Sequence, residues 1–589
     1  MPILNSTAII IVSFVPLFYL SGMEGRMLIP LGVAFIVALA ASTVVALTLT
    51  PVLCSYLLGG GKENGVPKEA FVARWMKRHY EKGLLWALEH KRPVVVSTAV
   101  LFAAAVGLFF TLGHSFLPKF NEGSFTINIS SMPGISLEES DKIGRRAEEI
   151  LLSIPEIQTV ARKTGRAELD EHALGVNVSE IEAPFELEDR SHDELLDDIR
   201  HRLAAIKGAN IEIGQPISHR IDAMLSGTQA GIAIKLFGDD LNRMYSIANQ
   251  IKGSIADVDG LADLNVEQQV ERPELEIKPK REMLKMYGIP MANFNTFVRV
   301  NMAGETVSQV YEKGGSFNLV VRAAEHDRCD IERIRDLMFD TPDGRKVPLA
   351  SVAEVKSGMG PNTINRENVK RKLVISANAS GRDMRSVVND IRRRIDAEIK
   401  LPEGYHVEYG GQFESEQAAS RTLMLASALS IVVIFLLLYM QFKNTLESAV
   451  ILINLPLALI GGVFTLVFTT GEVSIPAIIG FISLFGIATR NGMLLVSHYN
   501  TLRAEGAGTL RQCVVCGSLD RLNPILMTAL CSALALIPLA MRGGLPGNEI
   551  QSPMAKVILG GLLTSTFLNG FIIPIVYEWM ERRRSKGKM

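Results

Sequence analysis

The sequence predicts a membrane α-helical bundle of eight transmembrane helices that carries a large α+β domain of split βαβ subdomains outside the membrane. Three observations predict it. Hydrophobic residues make up 48% of the 589 against 21% charged, and the mean hydropathy is +0.22, too apolar for an ordinary soluble protein of this size. Eight stretches are apolar enough over the ~20 residues that a membrane helix requires, because such a helix must satisfy its backbone polar groups internally. Between the third and the fourth lies a polar insert, 114–421, that alternates strand and helix patterns.

In chain order the spans are residues 1–23, 28–61, 93–113, 422–442, 448–471, 473–502, 522–541 and 557–577, the sixth interrupted by Arg490. Residues 1–23 lack a basic start and a second apolar run follows almost at once, which argues against a secretory leader. Lys and Arg in the short loops set the orientation. One side holds 17 of them, including Lys62, Lys68, Arg74, Lys77, Arg78, Lys82 and the tail cations from Arg582 to Lys588, whereas the other holds only Arg26, Arg542 and Lys556. Both termini are therefore expected in the cytoplasm and the insert on the far side. Segment 62–92 sets Phe71, Trp75, Leu85 and Trp86 among bases at helical spacing and reads as an amphipathic helix on the cytoplasmic membrane surface. Residues 581–589 read as a basic tail.

Within the insert, the runs Phe125 to Ser130, Ile232 to Leu236, Leu275 to Lys278 and Phe317 to Val321 read as strands, and Leu137 to Leu152, Asp240 to Ile255 and Asp383 to Ile399 as helices. Alternation in pieces of this size predicts two or more small split-βαβ units rather than one large sheet. Asp343-Gly344 is a hairpin turn signal between Met338 and Leu349.

Several function classes drop out. A net charge of -1 provides no basic field for nucleic acid. Five scattered cysteines make no disulfide framework, and Cys513-Val-Val-Cys516 is a lone pair where a structural zinc needs four ligands. No Walker A sequence, nucleophile elbow or HExxH is present, which removes ATP-driven transport and the usual membrane hydrolases, so no enzyme activity is expected.

The spans also repeat. Pro30 and Pro51 are 21 residues apart, as are Pro553 and Pro574, and in each case a Ser-Thr pair (Ser42-Thr43, Ser565-Thr566) begins 12 residues after the first proline. Pro16 precedes Pro30 by 14 residues and Pro538 precedes Pro553 by 15. Three matched landmarks in order favour duplication. Spans seven and eight follow four more spans and a large domain, whereas spans one and two follow nothing, so the expectation is the end of a larger protein that starts partway through its first half.

The motifs FLPKFNEGSF and SMPGISLEES after the third span, ARKTGRAE at 161–168, HRIDAMLSGTQAGIAIKLFG at 219–238, GGQFE at 410–414 and NPILMTAL at 523–530 run the length of the chain. With them the sequence resembles the inner-membrane permeases of the resistance-nodulation-division (RND) efflux systems, heavy-metal branch, which includes copper/silver and cobalt-zinc-cadmium pumps. The resemblance implies a proton-driven exporter of heavy-metal cations in the bacterial inner membrane, with 1–61 and 93–113 as the fifth to seventh spans of a twelve-span permease, 114–421 as its second periplasmic pore and docking domain, and 422–580 as its last five spans. It further implies a homotrimer that docks a periplasmic adaptor and an outer-membrane channel, needs the missing N-terminal half, contacts membrane lipid and uses no cofactor beyond the proton motive force and the transported ion.

Arg490 is the single fixed charge deep in a span, preceded by seventeen uncharged residues. Burying it costs ~2.5 to 3.5 kcal/mol on insertion scales, so pairing is expected over snorkelling toward Ser497 and His498. In the family, a cation here faces an acidic pair on the fourth span, a span that would precede Met1. Arg490 with Asn491, and Thr528 at a position matching a relay threonine, form the expected proton relay; Arg490 acts as counter-charge because guanidinium does not release its proton. The alternative for Thr528 is a hydroxyl bonded back to its own helix. The copper/silver pumps hold a soft ion with three methionines. Here those places align with Asn128, Glu180 and Ala223. Met132 and Met224 lie close by, and Glu180, Glu182 and Asp222 suit a harder divalent ion. The candidate substrate cleft is therefore Asn128, Met132, Glu180, Asp222 and Met224, with the metal unassigned. Competing readings are a multidrug permease of the same mechanism and an uncoupled accessory membrane subunit, which would have no use for Arg490.

Overall fold

The computed structural model describes residues 2–58, 70–116, 121–165, 175–187, 190–226, 230–269, 271–361, 363–506, 508–543, 545 and 547–586. Lys62, Lys68, Lys588, residues 59–61 of the second span, 117–120 and 166–168 of two motifs, and 227–229 lie outside them.

The chain enters through α1 (Pro2–Phe14), a 3-10 turn over Val15–Tyr19, α2 (Gly22–Leu47) and α3 (Leu49–Leu58). Residues 1–23 are expected as one full span; the apolar helix there runs only Leu4–Tyr19, shorter than the other spanning candidates. Pro16 sits at the start of the 3-10 turn, where its missing N–H and fixed φ end regular α-helix, and Gly22 at φ +72° turns the chain into α2. Pro51, in the first turn of α3, likewise has no N–H to offer the Leu47 carbonyl four residues back, and lies just after the break between α2 and α3. Next come α4 (Phe71–Glu89), α5 (Lys91–Thr111) and the short β1 (Gly113–Ser115).

The outer domain begins with β2 (Ser124–Ser131), α6 (Leu137–Leu152), β3 (Ala161–Thr164), β4 (Val178–Pro184), α7 (His192–Leu203) and β5 (Ala209–Gly214), which form an antiparallel sheet of order β3-β4-β2-β5. Strand alternation decides its two faces: Phe125, Ile127 and Ile129 turn inward against Leu151 of α6 and Leu195 and Ile199 of α7. Ser136 caps α6 by accepting from the Glu139 amide, and Ser191 with Glu194 makes a capping box on α7. The helix α8 (Pro216–Ser226) follows.

A second sheet starts with β6 (Ile232–Phe237), α9 (Leu241–Ile255) and β7 (Leu261–Val266). An excursion then runs through β8 (Glu271–Pro279), α10 (Arg281–Met286), α11 (Met291–Met302), β9 (Glu305–Glu312), β10 (Gly315–Val321), α12 (Glu325–Arg328), α13 (Ile331–Arg335), β11 (Met338–Asp340), β12 (Lys346–Pro348), α14 (Leu349–Val352), β13 (Ala353–Pro361) and β14 (Arg366–Glu367). It has its own small core around Phe294, Leu349 and Val352, and Gly344 at φ +84° makes the turn between β11 and β12. The chain returns through β15 (Lys370–Ala379), α15 (Met384–Glu398) and β16 (His406–Gly411), so that β15 pairs with both β6 and β7 and β16 closes the other side of β6. Apart from the excursion, this unit repeats the β-α-β-β-α-β connection of the first. All of β6 is buried: Ile232, Ile234 and Leu236 pack against α9 and α15, and on the opposite face Lys235 is held by Glu367 at 2.9 Å.

Gly411, at φ +90°, turns β16 directly into α16 (Gln412–Phe442); a Cβ there would lie 2.5 Å from the Gly231 carbonyl oxygen. Residues 412–421, expected at the end of the insert, are thus the first turns of α16. The bundle continues with α17 (Thr445–Leu452), α18 (Asn454–Thr469), β17 (Glu472–Ser474), α19 (Ile475–Ala504), α20 (Leu510–Met541) and α21 (Gln551–Lys586). Among the described residues seven helices are long and apolar enough to cross a membrane. Most of α19 is buried inside the bundle whereas α20 is largely bare. Strand β17 pairs in parallel with β1, tying the far ends of α5 and α19 together. The basic tail is helical to Lys586, with Arg582 bonded back to Glu578 at 2.5 Å.

Candidate functional site

Arg490 is at the middle of α19, with Thr489 and Asn491 buried on either side. Small residues bring the neighbouring helices close to it. At Gly486 a Cβ would lie 2.9 Å from the Ile10 Cα of α1, and Gly492 faces the Asn454 side chain of α18. Arg490 makes no ion pair among the described residues, and the snorkelling partners are not used either: His498 lies instead 3.2 Å from Asp520 of α20. The buried amides of Asn454 and Asn569, and the Nδ2 of Asn491, likewise have no hydrogen-bond partner among the described residues. The innermost helices α18, α19 and α21 therefore hold several polar groups in otherwise apolar surroundings, which is costly unless water or another group meets them.

Thr528 is exposed on α20, and its hydroxyl donates to the Ile525 carbonyl at 2.9 Å. Its neighbour Ala529 packs on Leu484 and Ala488 of α19, which brings the two elements together without a hydrogen bond from Thr528 to Arg490 or Asn491.

In the outer domain, Asn128 of β2 stands abreast of Glu180 on β4 and Glu212 on β5. These three share the sheet face opposite α6 and α7 because period-2 alternation that buries Ile127 and Ile129 turns Asn128 the other way. Asn128 Nδ2 approaches His219 Nδ1 of α8 at 3.2 Å, Glu180 pairs with Lys163 at 2.7 Å, and Glu212 accepts from Ser376 of β15 at 2.8 Å, joining the two sheets. Burial raises the Glu212 carboxyl above its ordinary range. One turn along α8, Asp222 is buried and accepts from Gln412 Nε2 at 2.7 Å. Desolvation pushes Asp222 up to about 7 and His219 down to about 4, so both favour their neutral forms. Met132 and Met224 are exposed, at 57% and 67%.

His219 and Asp222 line a cavity of about 400 Å³ where α7, α8, the β15–α15 turn and the β1–β17 ladder meet, and His114, His192, Asp383 and Glu472 line it too. Of the five candidate cleft residues, only Asp222 reaches this cavity. Among the described residues no three His, Cys, Asp or Glu side chains converge closely enough to hold a metal ion. A cation entering here would meet the neutral imidazole of His219, the form that binds metals, and the Asp222 carboxyl, which must first lose a proton.

The profile of the AcrB/AcrD/AcrF family matches residues 1–581. The chain belongs to that family. It is 33% identical over 594 residues to the cobalt-zinc-cadmium resistance protein CzcA of Cupriavidus metallidurans, covering 99% of this chain and 55% of that protein. Protein HelA of Legionella pneumophila is 34% identical over 599 residues, with 100% and 56% covered, and the cation efflux system protein CusA of Escherichia coli is 28% identical over 598 residues, with 98% and 56% covered. A crystal structure of a heavy metal efflux pump superposes with a TM-score of 0.81 at 28% identity, covering 99% of this chain and 58% of that one. The chain spans about half the length of the curated relatives it matches.

For this AcrB/AcrD/AcrF family member the sequence reading singled out Arg490, Asn491, Asn128 and Asp222 but not the polar groups around them. Asn454 and Asn569 had a signal that could have found them, an amide inside an apolar span. His114, His192 and Asp383 had none, since residues from α7, β1 and α15 converge only in three dimensions.

Proposed function

We propose that the chain is the portion of a proton-driven inner-membrane permease that carries the counter-charge and the metal-selecting cleft of a heavy-metal efflux system. The observation that carries the reading is similarity over 99% of the chain to a protein named for cobalt, zinc and cadmium resistance, together with a half-buried cation, Arg490, in the middle of the innermost helix. On this reading residues 114–421 form the periplasmic pore and docking domain, and eight helices cross the membrane. The permease works as a homotrimer with a periplasmic adaptor and an outer-membrane channel. Substrate enters the outer cleft, and carboxylates on the remaining portion of the permease exchange protons opposite Arg490. Divalent zinc, cobalt or nickel fits the cleft better than monovalent copper, because Asn128 and Glu180 offer oxygen where the copper/silver pumps place thioethers.

Reconstitution in liposomes tests this. The chain combined with the remaining portion of such a permease should move Zn²⁺ or Co²⁺ against a pH gradient. A correctly assembled trimer that moves neither metal would sink the substrate assignment, and proton-coupled flux by this chain alone would sink the role given to Arg490.

A further inference from the structure

The helix α4 has two faces of different chemistry. Tyr80, Leu84, Ala87 and Leu88 pack against Phe571, Ile575 and Val515 of α21 and α20, and Tyr80 donates to the Gly570 carbonyl at 2.6 Å. On the opposite side Phe71, Trp75, Arg78, Lys82 and Trp86 fall within about 80° of the helix circumference over roughly 22 Å. All five are exposed, Phe71 at 76% and the two tryptophans at 55% each. His79 lies over the Trp75 ring at 4.5 Å, and His90 stacks on Trp86 at 5.1 Å. The stripe formed by Phe571 and Ile575 continues past α4 along α21: Trp579, four residues on, is 51% exposed, and the Arg583 guanidinium sits 4.1 Å from its ring centre. The chain has three tryptophans, and every one of them is exposed at this end of the bundle.

Arg78 and Lys82 form no ion pair among the described residues. Glu81, the nearest acid on α4, is exposed and pairs with neither of them among the described residues, while Glu89 is engaged by Arg511 at 3.3 Å and the buried Glu578 by Lys91 at 2.5 Å. Aromatic rings interleaved with unpaired cations along one face suit a plane that is apolar below and anionic above. We propose that this face of α4, together with Trp579 and Arg583, is a binding site for anionic phospholipid, with the rings at the acyl boundary and Arg78 and Lys82 on headgroup phosphate. The proposal rests on the cytoplasmic orientation drawn from the Lys and Arg distribution and is independent of what the permease transports. Charge complementarity favours lipid over an acidic protein, since the rings point the same way as the cations and would otherwise be bared to water.

Because all three tryptophans lie on the site, intrinsic fluorescence of the full chain reports on it. The chain is reconstituted in phosphatidylcholine vesicles that contain a small fraction of brominated lipid, either phosphatidylglycerol or phosphatidylcholine. Brominated phosphatidylglycerol should quench the tryptophans at about 25-fold lower mole fraction, at about fivefold preference for each of the two cations. The preference should collapse in the Arg78→Gln, Lys82→Gln double variant and survive in the charge-conserving Arg78→Lys, Lys82→Arg pair. Equal quenching by the two lipids would overturn the proposal, as would a preference that persists in the double Gln variant.

Discussion

The Nη2 of Arg385 donates to both carboxylate oxygens of Glu416, at 2.7 and 2.6 Å, and Ser420 adds a third hydrogen bond at 2.8 Å. Arg385 is in the first turn of α15 and Glu416 near the start of α16, so the pair joins the second outer sheet to a helix long and apolar enough to cross a membrane. Removing one partner leaves a buried carboxylate without its charge partner. Arg385→Ala should therefore destabilise the chain by about 2 kcal/mol, seen as a lowered midpoint in thermal unfolding followed in detergent; an unchanged midpoint would show that the joint contributes nothing.

The pH dependence of stability separates Asp222 from His219. Asp222 has a folded pKa raised from 3.8 to about 7, so its contribution is full below 3.8 and is lost as pH rises through 7. His219 has a folded pKa lowered from 6.5 to about 4, so its contribution is full above 6.5 and is lost as pH falls through 4. Between pH 4 and 6.5 the two slopes oppose each other. Relative to the unaltered chain, Asp222→Asn should make the unfolding midpoint climb more with pH, and His219→Gln should make it fall more. Parallel curves for all three proteins would contradict the burial of these groups.

Transport should depend on Arg490 far more than on Thr528. If the proposed function holds, then in the permease combined with its remaining portion Arg490→Ala should reduce proton-coupled metal flux at least a hundredfold while trimer assembly persists, because the carboxylates proposed to face it would lose their counter-charge. The Thr528 hydroxyl already bonds to its own helix, so Thr528→Ala should reduce flux less than tenfold. Equal losses would place Thr528 directly in the relay.

Metal preference follows from the ligand atoms. Calorimetric titration of the chain should show Zn²⁺ or Co²⁺ bound more tightly than Cu⁺, and Met224→Ala should leave both unchanged, since Met224 is exposed and on the proposed reading it is Asn128 and Glu180 that would offer oxygen to the ion. Tight Cu⁺ binding abolished by Met224→Ala would reverse the argument.

The sequence by itself determined the parts whose physics is local. The uncharged runs marked helices long and apolar enough to cross a membrane, alternation marked β6 from Ile232, the helical runs from Asp240 and Asp383 marked α9 and α15, which those two residues cap, and a lone charge in an apolar helix singled out Arg490. Each of these is readable from a window of about twenty residues or fewer, because span length, pleat and capping are properties of neighbours in the chain. Only the tertiary structure decided that β15 returns across a long excursion to lie beside β6 and β7, that Asn128 meets His219, and that Asp222 but not Glu180 lines the cavity. It also decided which side of α4 stays bare: the spacing that sets Trp75 and Trp86 among cations is equally consistent with either face packed, and the burial of Leu84 and Leu88 against α21 settles it. Those outcomes depend on contacts between residues far apart in the chain, where packing and desolvation, rather than local pattern, carry the free energy.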